Sequence, residues 1–189
     1  MGLFDVISGK RKLKQPAPDR LFAMSTAYVT LQTELELTSR GVAGIVFQAL
    51  ETSDFTEIVR DMEEVVRASA ADTGGSVEDH QDSFGYRWMV LRDEDFDDLV
   101  VGINAVSTAI QGGGYGERIL CAVFSFQDAK ARAVYFIYNY KRGAFYPFVP
   151  AGERSRDNER ELRLKAQLGH ELPFEPELER WFPLWDIPI

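Results

Sequence analysis

Residues 119–126 read Ile-Leu-Cys-Ala-Val-Phe-Ser-Phe, an almost unbroken apolar run. It is far too short to cross a bilayer, which needs about 20 apolar residues. It is also too continuous for a strand with one wet face, which would alternate. The run therefore reads as a strand buried on both sides, and the rest of the chain has to supply cover for a sheet. Two more strand-like segments follow. Ala133–Tyr140 is rich in aromatics. Lys141-Arg142-Gly143 turns the chain into Ala144–Val149, where Pro147 removes a ladder donor and assigns the segment to an edge.

The flanking patterns supply the remaining elements. Asp19–Met24 forms one helical turn with Asp19 as N-cap after Pro18. From Tyr28 to Leu37 apolar and polar residues alternate, with Val29, Leu31, Leu35 and Leu37 on one face, which predicts a half-buried strand. Ser39-Arg40-Gly41 then turns it, and Val42–Gln48 is its hairpin partner. Phe55, Ile58, Val59, Met62, Val65 and Val66 make one apolar stripe on a helix from Ser53 to the glycines at 74 and 75. Residues 76–82 form an edge strand and Tyr86–Leu91 a stronger one. Asp93 or Asp95 caps a second helix, where Phe96, Leu99, Val100, Ile103, Val106 and Ile110 keep the same spacing up to Gly112. A last helix starts at Asp157 and turns Leu162, Leu164 and Leu168 inward. The order is ββ-α-ββ-α-βββ-α, an α+β fold with a mostly antiparallel sheet covered by helices. Three regions follow: a basic amphipathic segment at 1–18, the α+β domain at 19–170, and a Trp- and Pro-rich tail at 171–189. The apolar residues of the tail pack back onto the sheet or onto a partner, since such a surface is not left in water.

Charge and rare residues narrow the chemistry. The net charge is −9, which repels phosphate backbones and argues against nucleic-acid binding. The lone Cys121 rules out an internal disulfide and a multi-thiolate zinc site; set in an apolar strand, it is a small hydrophobe. His80 and His170 show no metal-ligand spacing. The glycines at 112–116 come after a helix and before a strand, the reverse of a phosphate loop, and read as a helix stop. The acids at 93–98 suit a helix start. No catalytic residue, metal ligand or cofactor is assigned. Met1–Ser8 is too short for a signal peptide and basic residues follow it. The chain reads as cytoplasmic, with Leu3, Phe4, Lys10, Arg11, Lys12 and Lys14 as candidates for peripheral contact with an anionic membrane face, or as a solvated segment docked on its own domain. Tyr138, Tyr140, Lys141, Arg142, Phe145 and Tyr146 join aromatics to a basic turn, which fits a core-filling hairpin, a protein interface or a ligand site.

Five segments together resemble one family. They are Met1-Gly2-Leu3-Phe4-Asp5, Asp19-Arg20-Leu21-Phe22-Ala23-Met24, Tyr140-Lys141-Arg142-Gly143-Ala144-Phe145-Tyr146-Pro147-Phe148, Arg156-Asp157-Asn158-Glu159-Arg160-Glu161-Leu162 and Arg180-Trp181-Phe182-Pro183-Leu184-Trp185. In this order they resemble PspAB, the PspA-associated protein of actinobacteria and some archaea. Residues 72–82 and 127–132 depart most from it. The resemblance implies a link to the phage-shock stress response and to an HtpX-type membrane protease, with no catalytic residue to carry over.

The reading that results is a non-catalytic adaptor. It contacts a PspA-like protein or an HtpX-type membrane protease through Tyr138, Tyr140, Lys141, Arg142, Phe145, Tyr146, Trp181 and Trp185. One alternative is a small-molecule-binding or enzymatic domain with a pocket under the 138–148 hairpin. Another is a secretion-chaperone-like module that dimerises and binds extended peptide. The sequence leaves oligomeric state open.

Overall fold

A computed structural model describes residues 18–185 and 187–189. The elements are α1 (Pro18–Thr33), β1 (Thr38–Gln48), α2 (Ser53–Thr73), β2 (Ser76–Gln81), β3 (Tyr86–Arg92), α3 (Phe96–Gly112), β4 (Ile119–Gln127), β5 (Ala133–Asn139), β6 (Ala144–Phe148) and α4 (Asn158–Leu168). The strands form one sheet in the order β2-β3-β1-β4-β5-β6, and every neighbouring pair is antiparallel. Two helical crossovers explain this order. α2 returns the β2–β3 hairpin to one side of β1, and α3 carries the chain across to place β4 on the other. The fold is α+β, as the sequence predicts, and β4 lies inside the sheet with both faces covered.

Alternation along each strand divides the core in two. Ile45, Phe47, Met89, Leu91, Phe124 and Phe136 face the helices. They meet Leu21, Met24, Ala27 and Leu31 of α1, the Phe55 stripe of α2 and the Phe96 stripe of α3. Val42, Val46, Trp88, Val90, Val123 and Ile137 face the other way, where Trp181, Leu184, Trp185, Ile187 and Ile189 of the C-terminal tail cover them. Polar groups fasten this tail. The Tyr146 hydroxyl donates to the Phe182 carbonyl (3.0 Å), and that of Tyr135 to the Ile189 carbonyl (3.1 Å). Trp181 Nε1 donates to the Glu175 carbonyl (3.0 Å). Arg156 donates to the Trp181 carbonyl (2.6 Å) and to the buried Glu161 carboxylate (2.9 Å).

The start of the domain corrects the sequence reading. Residues 28–33, expected in a strand, are the last turns of α1. The stripe Leu21, Met24, Ala27, Leu31 has helical spacing and begins before the alternating stretch; Val29, expected inside, is 62 % exposed. Leu35 and Leu37 pack in the connection to β1. The expected turn at 39–41 is instead a bulge inside one continuous strand. Gly41 takes a φ of +67°, the Ser39 hydroxyl accepts from its N–H (3.0 Å), and the pairing with β4 shifts register between Ser39 and Ala43. The first unit is therefore α-β, where the sequence suggested a hairpin.

Other expectations hold. Asp95 caps α3 by accepting from Asp97 N (2.9 Å), and Asp157 caps α4 by accepting from Arg160 N (2.9 Å). β6, with Pro147, is an edge strand. The segment at 173–175 covers its outer side, where Phe145 N donates to the Pro173 carbonyl (2.8 Å) and Glu175 N to the Phe145 carbonyl (2.8 Å). On α4, Leu164 and Leu168 are buried as expected, but Leu162 is 45 % exposed and Glu161 takes an inward place beside Arg156.

Candidate binding cleft

The eight residues assigned to an interface separate by sheet face. Tyr138, Tyr140 and Phe145 are buried on the helix side. Their rings pack at centroid distances of 5.0 Å (Tyr138–Tyr140) and 4.8 Å (Tyr138–Phe145), so that side of the hairpin is closed. Burial pushes the Tyr138 phenol up from its ordinary range, against the pull of Arg20. Tyr146 and Trp181 are buried on the tail side, their rings stacked at 6.4 Å. Trp185 is half-buried and meets Phe148 edge-on at 5.2 Å. Arg142 donates to Glu175 (2.8 Å) and lies 3.8 Å from Glu177, tying the β5–β6 turn to the chain after α4. Burial alone would raise Glu175, but Arg142 and the Glu177 N–H hold it below the usual carboxylate range. Lys141 is exposed and makes no ion pair among the described residues. Leu3, Phe4, Lys10, Arg11, Lys12 and Lys14 lie outside the described residues. Where description begins, Arg20 donates to the Gly143 carbonyl (3.1 Å), which places the start of α1 beside the β5–β6 turn.

Among the described residues, one concave surface lies on the tail side. A cleft of about 770 Å³ runs between the β2–β3 turn and residues 182–185 and 188. Its floor is Val46, Trp88, Leu120, Cys121 and Tyr146, and its wall is Pro183, Leu184, Trp185 and Pro188. His80, Asn139, Lys141 and Arg154 stand at its rim. Two rings project beside it into water: Phe84 is 80 % exposed and Phe182 is 59 % exposed. The Asp82 carboxylate shapes the turn by accepting from Phe84 N and Tyr86 N (both 2.9 Å) and from Trp88 Nε1 (3.0 Å). Its charge is spread over three donors, and it is the one acid among the described lining residues.

This surface favours apolar recognition with charge at the border. Burial pushes the Cys121 thiol up to about 12, so it stays protonated at neutral pH and packs as a hydrophobe. His80 lies 3.2 Å from Glu78. No group of three His, Cys, Asp or Glu side chains among the described residues is placed to hold a metal. Lys141, Tyr146 and Trp185 are the cleft residues that sequence reasoning named for an interface. It did not assign Phe84, Arg154 or Val46 to one. The visible signal for Phe84 is an aromatic in the polar Asp82-Ser83-Phe84-Gly85 turn; Arg154 and Val46 carry none, because tertiary folding alone brings them to the cleft.

Compared with known families, the chain matches over residues 1–189 the model of a family described as PspAB, PspA associated protein B. No curated protein and no solved structure matches the chain.

Proposed function

The chain belongs to the PspA associated protein B family, and on that premise we propose that it is a non-catalytic adaptor that binds a PspA-like protein in the envelope-stress response. The observation that carries the reading is the open apolar cleft rimmed by Lys141 and Arg154 on a chain whose net charge is −9. Exposed aromatics beside an apolar floor, with cations at the rim, are the usual anchors of a protein interface. Tyr138, Tyr140, Phe145 and Trp181 then act indirectly, by holding the two sheet faces that shape the cleft and its tail wall. An HtpX-type membrane protease is the alternative partner. Among the described residues no helix is long and apolar enough to cross a membrane; attachment to the inner membrane face would fall to Leu3, Phe4 and the basic residues at 10–14.

The test is titration of the purified chain with the PspA-like protein of the same cell, followed by calorimetry and co-elution. A complex is expected, and Phe182→Asp should weaken it by at least about tenfold, as loss of an aromatic anchor does. No association in the unmodified chain overturns the reading. The cleft volume also falls in the range of small-molecule sites, which supports a second reading as a ligand-binding domain. A specific metabolite that raises the melting temperature and is blocked by a bulky residue at Val46 would support that reading.

A further inference from the structure

The lining of the cleft takes at least one residue from each strand: His80 of β2, Trp88 of β3, Val46 of β1, Cys121 of β4, Asn139 of β5 and Tyr146 of β6. Neighbouring strands lie about 4.8 Å apart, so the cleft extends roughly 24 Å across the sheet. It is a groove, and its length equals about 16 residues of α-helix.

The main chain decides what can lie there. β3, β1, β4 and β5 each pair with a strand on both sides, so the floor offers almost no free backbone donor or acceptor. An extended peptide laid across it would bury its own N–H and C=O groups unpaired, and each would lose its hydrogen bonds to water without replacement. A helix satisfies those groups internally and presents only side chains.

Charge sets the flank. Lys141 and Arg154 are exposed at the rim and neither makes an ion pair among the described residues. Asp82 is bound by its own turn. On an acidic chain, two cations unpaired among the described residues attract acid at the rim of the cleft, where the rest of the surface repels it.

Resting on the adaptor reading, we infer that this groove takes one amphipathic helix of a partner protein, with its apolar stripe on the exposed Phe84 and Phe182 and the half-buried Trp185 and its acidic flank against Lys141 and Arg154.

The probes are three labelled synthetic peptides of equal length, titrated against the full chain by fluorescence anisotropy. The first carries leucines at helical spacing with flanking glutamates. The second replaces the glutamates by lysines. The third keeps the first composition with the leucines at alternate positions. The first should bind at least tenfold more tightly than either other peptide, and K141E/R154E should reverse the order of the first two. Both substituted residues are exposed, and an unchanged circular dichroism melt verifies the fold. Equal affinity for the first two peptides, or for the first and third, overturns the inference. Self-association that K141E/R154E abolishes would make a second copy the occupant, and tighter peptide binding by L3D/F4D would make it the chain's own N-terminal segment; either overturns the inference. If the PspA-like protein binds wild type and K141E/R154E equally, the groove inference fails and the adaptor reading stands. If the glutamate peptide binds as expected and the PspA-like protein does not, the reverse holds.

Discussion

Asp128, between β4 and β5, shows how one carboxylate can fix a connection. Its Oδ1 accepts from Lys130 N (2.9 Å) and Arg132 N (3.0 Å), its Oδ2 accepts from Arg132 Nε (2.8 Å), and Arg160 of α4 lies 3.0 Å away. Burial alone would raise its pKa, but the backbone donors, Arg132 and Arg160 outweigh this and hold it well below the usual carboxylate range. A depressed folded pKa stabilises the fold fully above the unfolded value, about 3.9, and the contribution is lost as pH falls through the folded value. Asp128→Asn keeps one acceptor and loses the charge. It should cost about 1–2 kcal/mol at pH 7. Urea unfolding at pH 7 and pH 3 should show the gap to wild type narrowing in acid. A gap that widens in acid contradicts this assignment.

At the scale of elements, β1 depends on its bulge. Gly41 has a φ of +67°, and a Cβ there would stand 3.1 Å from the Asp93 carbonyl oxygen. Gly41→Ala should therefore cost about 1–2 kcal/mol, read as a lower urea midpoint with unchanged slope. Gly41→Asn should recover part of the loss, because asparagine tolerates this backbone region better. The same bulge explains what was legible in the sequence. Helices α2 and α3 are plain because their stripes run over many turns, although Val65, expected in the α2 stripe, is 67 % exposed. Residues 28–37 imitate alternation because Leu31 and Leu37 are buried and Leu35 is half-buried for different reasons, one on a helix and two in the connection. Ser39-Arg40-Gly41 carries turn chemistry, and a bulge uses the same chemistry. The candidate site was less legible. The aromatic hairpin stood out, but most of its rings hold the core, and the groove draws on all six strands and the tail, which no local pattern encodes.

At the scale of the molecule, the described residues form three layers: helices, sheet, and a tail of mostly irregular chain. The tail depends on Trp181, which stacks on Tyr146, donates to the Glu175 carbonyl and lies under the Lys165 ammonium at 5.3 Å. Trp181→Ala should cost about 3–5 kcal/mol. A hydrophobic dye such as ANS should then bind, while the helical signal in circular dichroism persists. A loss below about 1 kcal/mol would mean that the tail is held elsewhere. The layer order also sets a timetable for synthesis. Residues 181–189 leave the ribosome after every strand they cover, so a nascent sheet already backed by four helices carries Trp88, Val90, Ile137 and Phe148 bare toward water. Translation that stalls before Trp181 would release a particle with one sealed face and one adhesive face, a species suited to capture by chaperones and proteases.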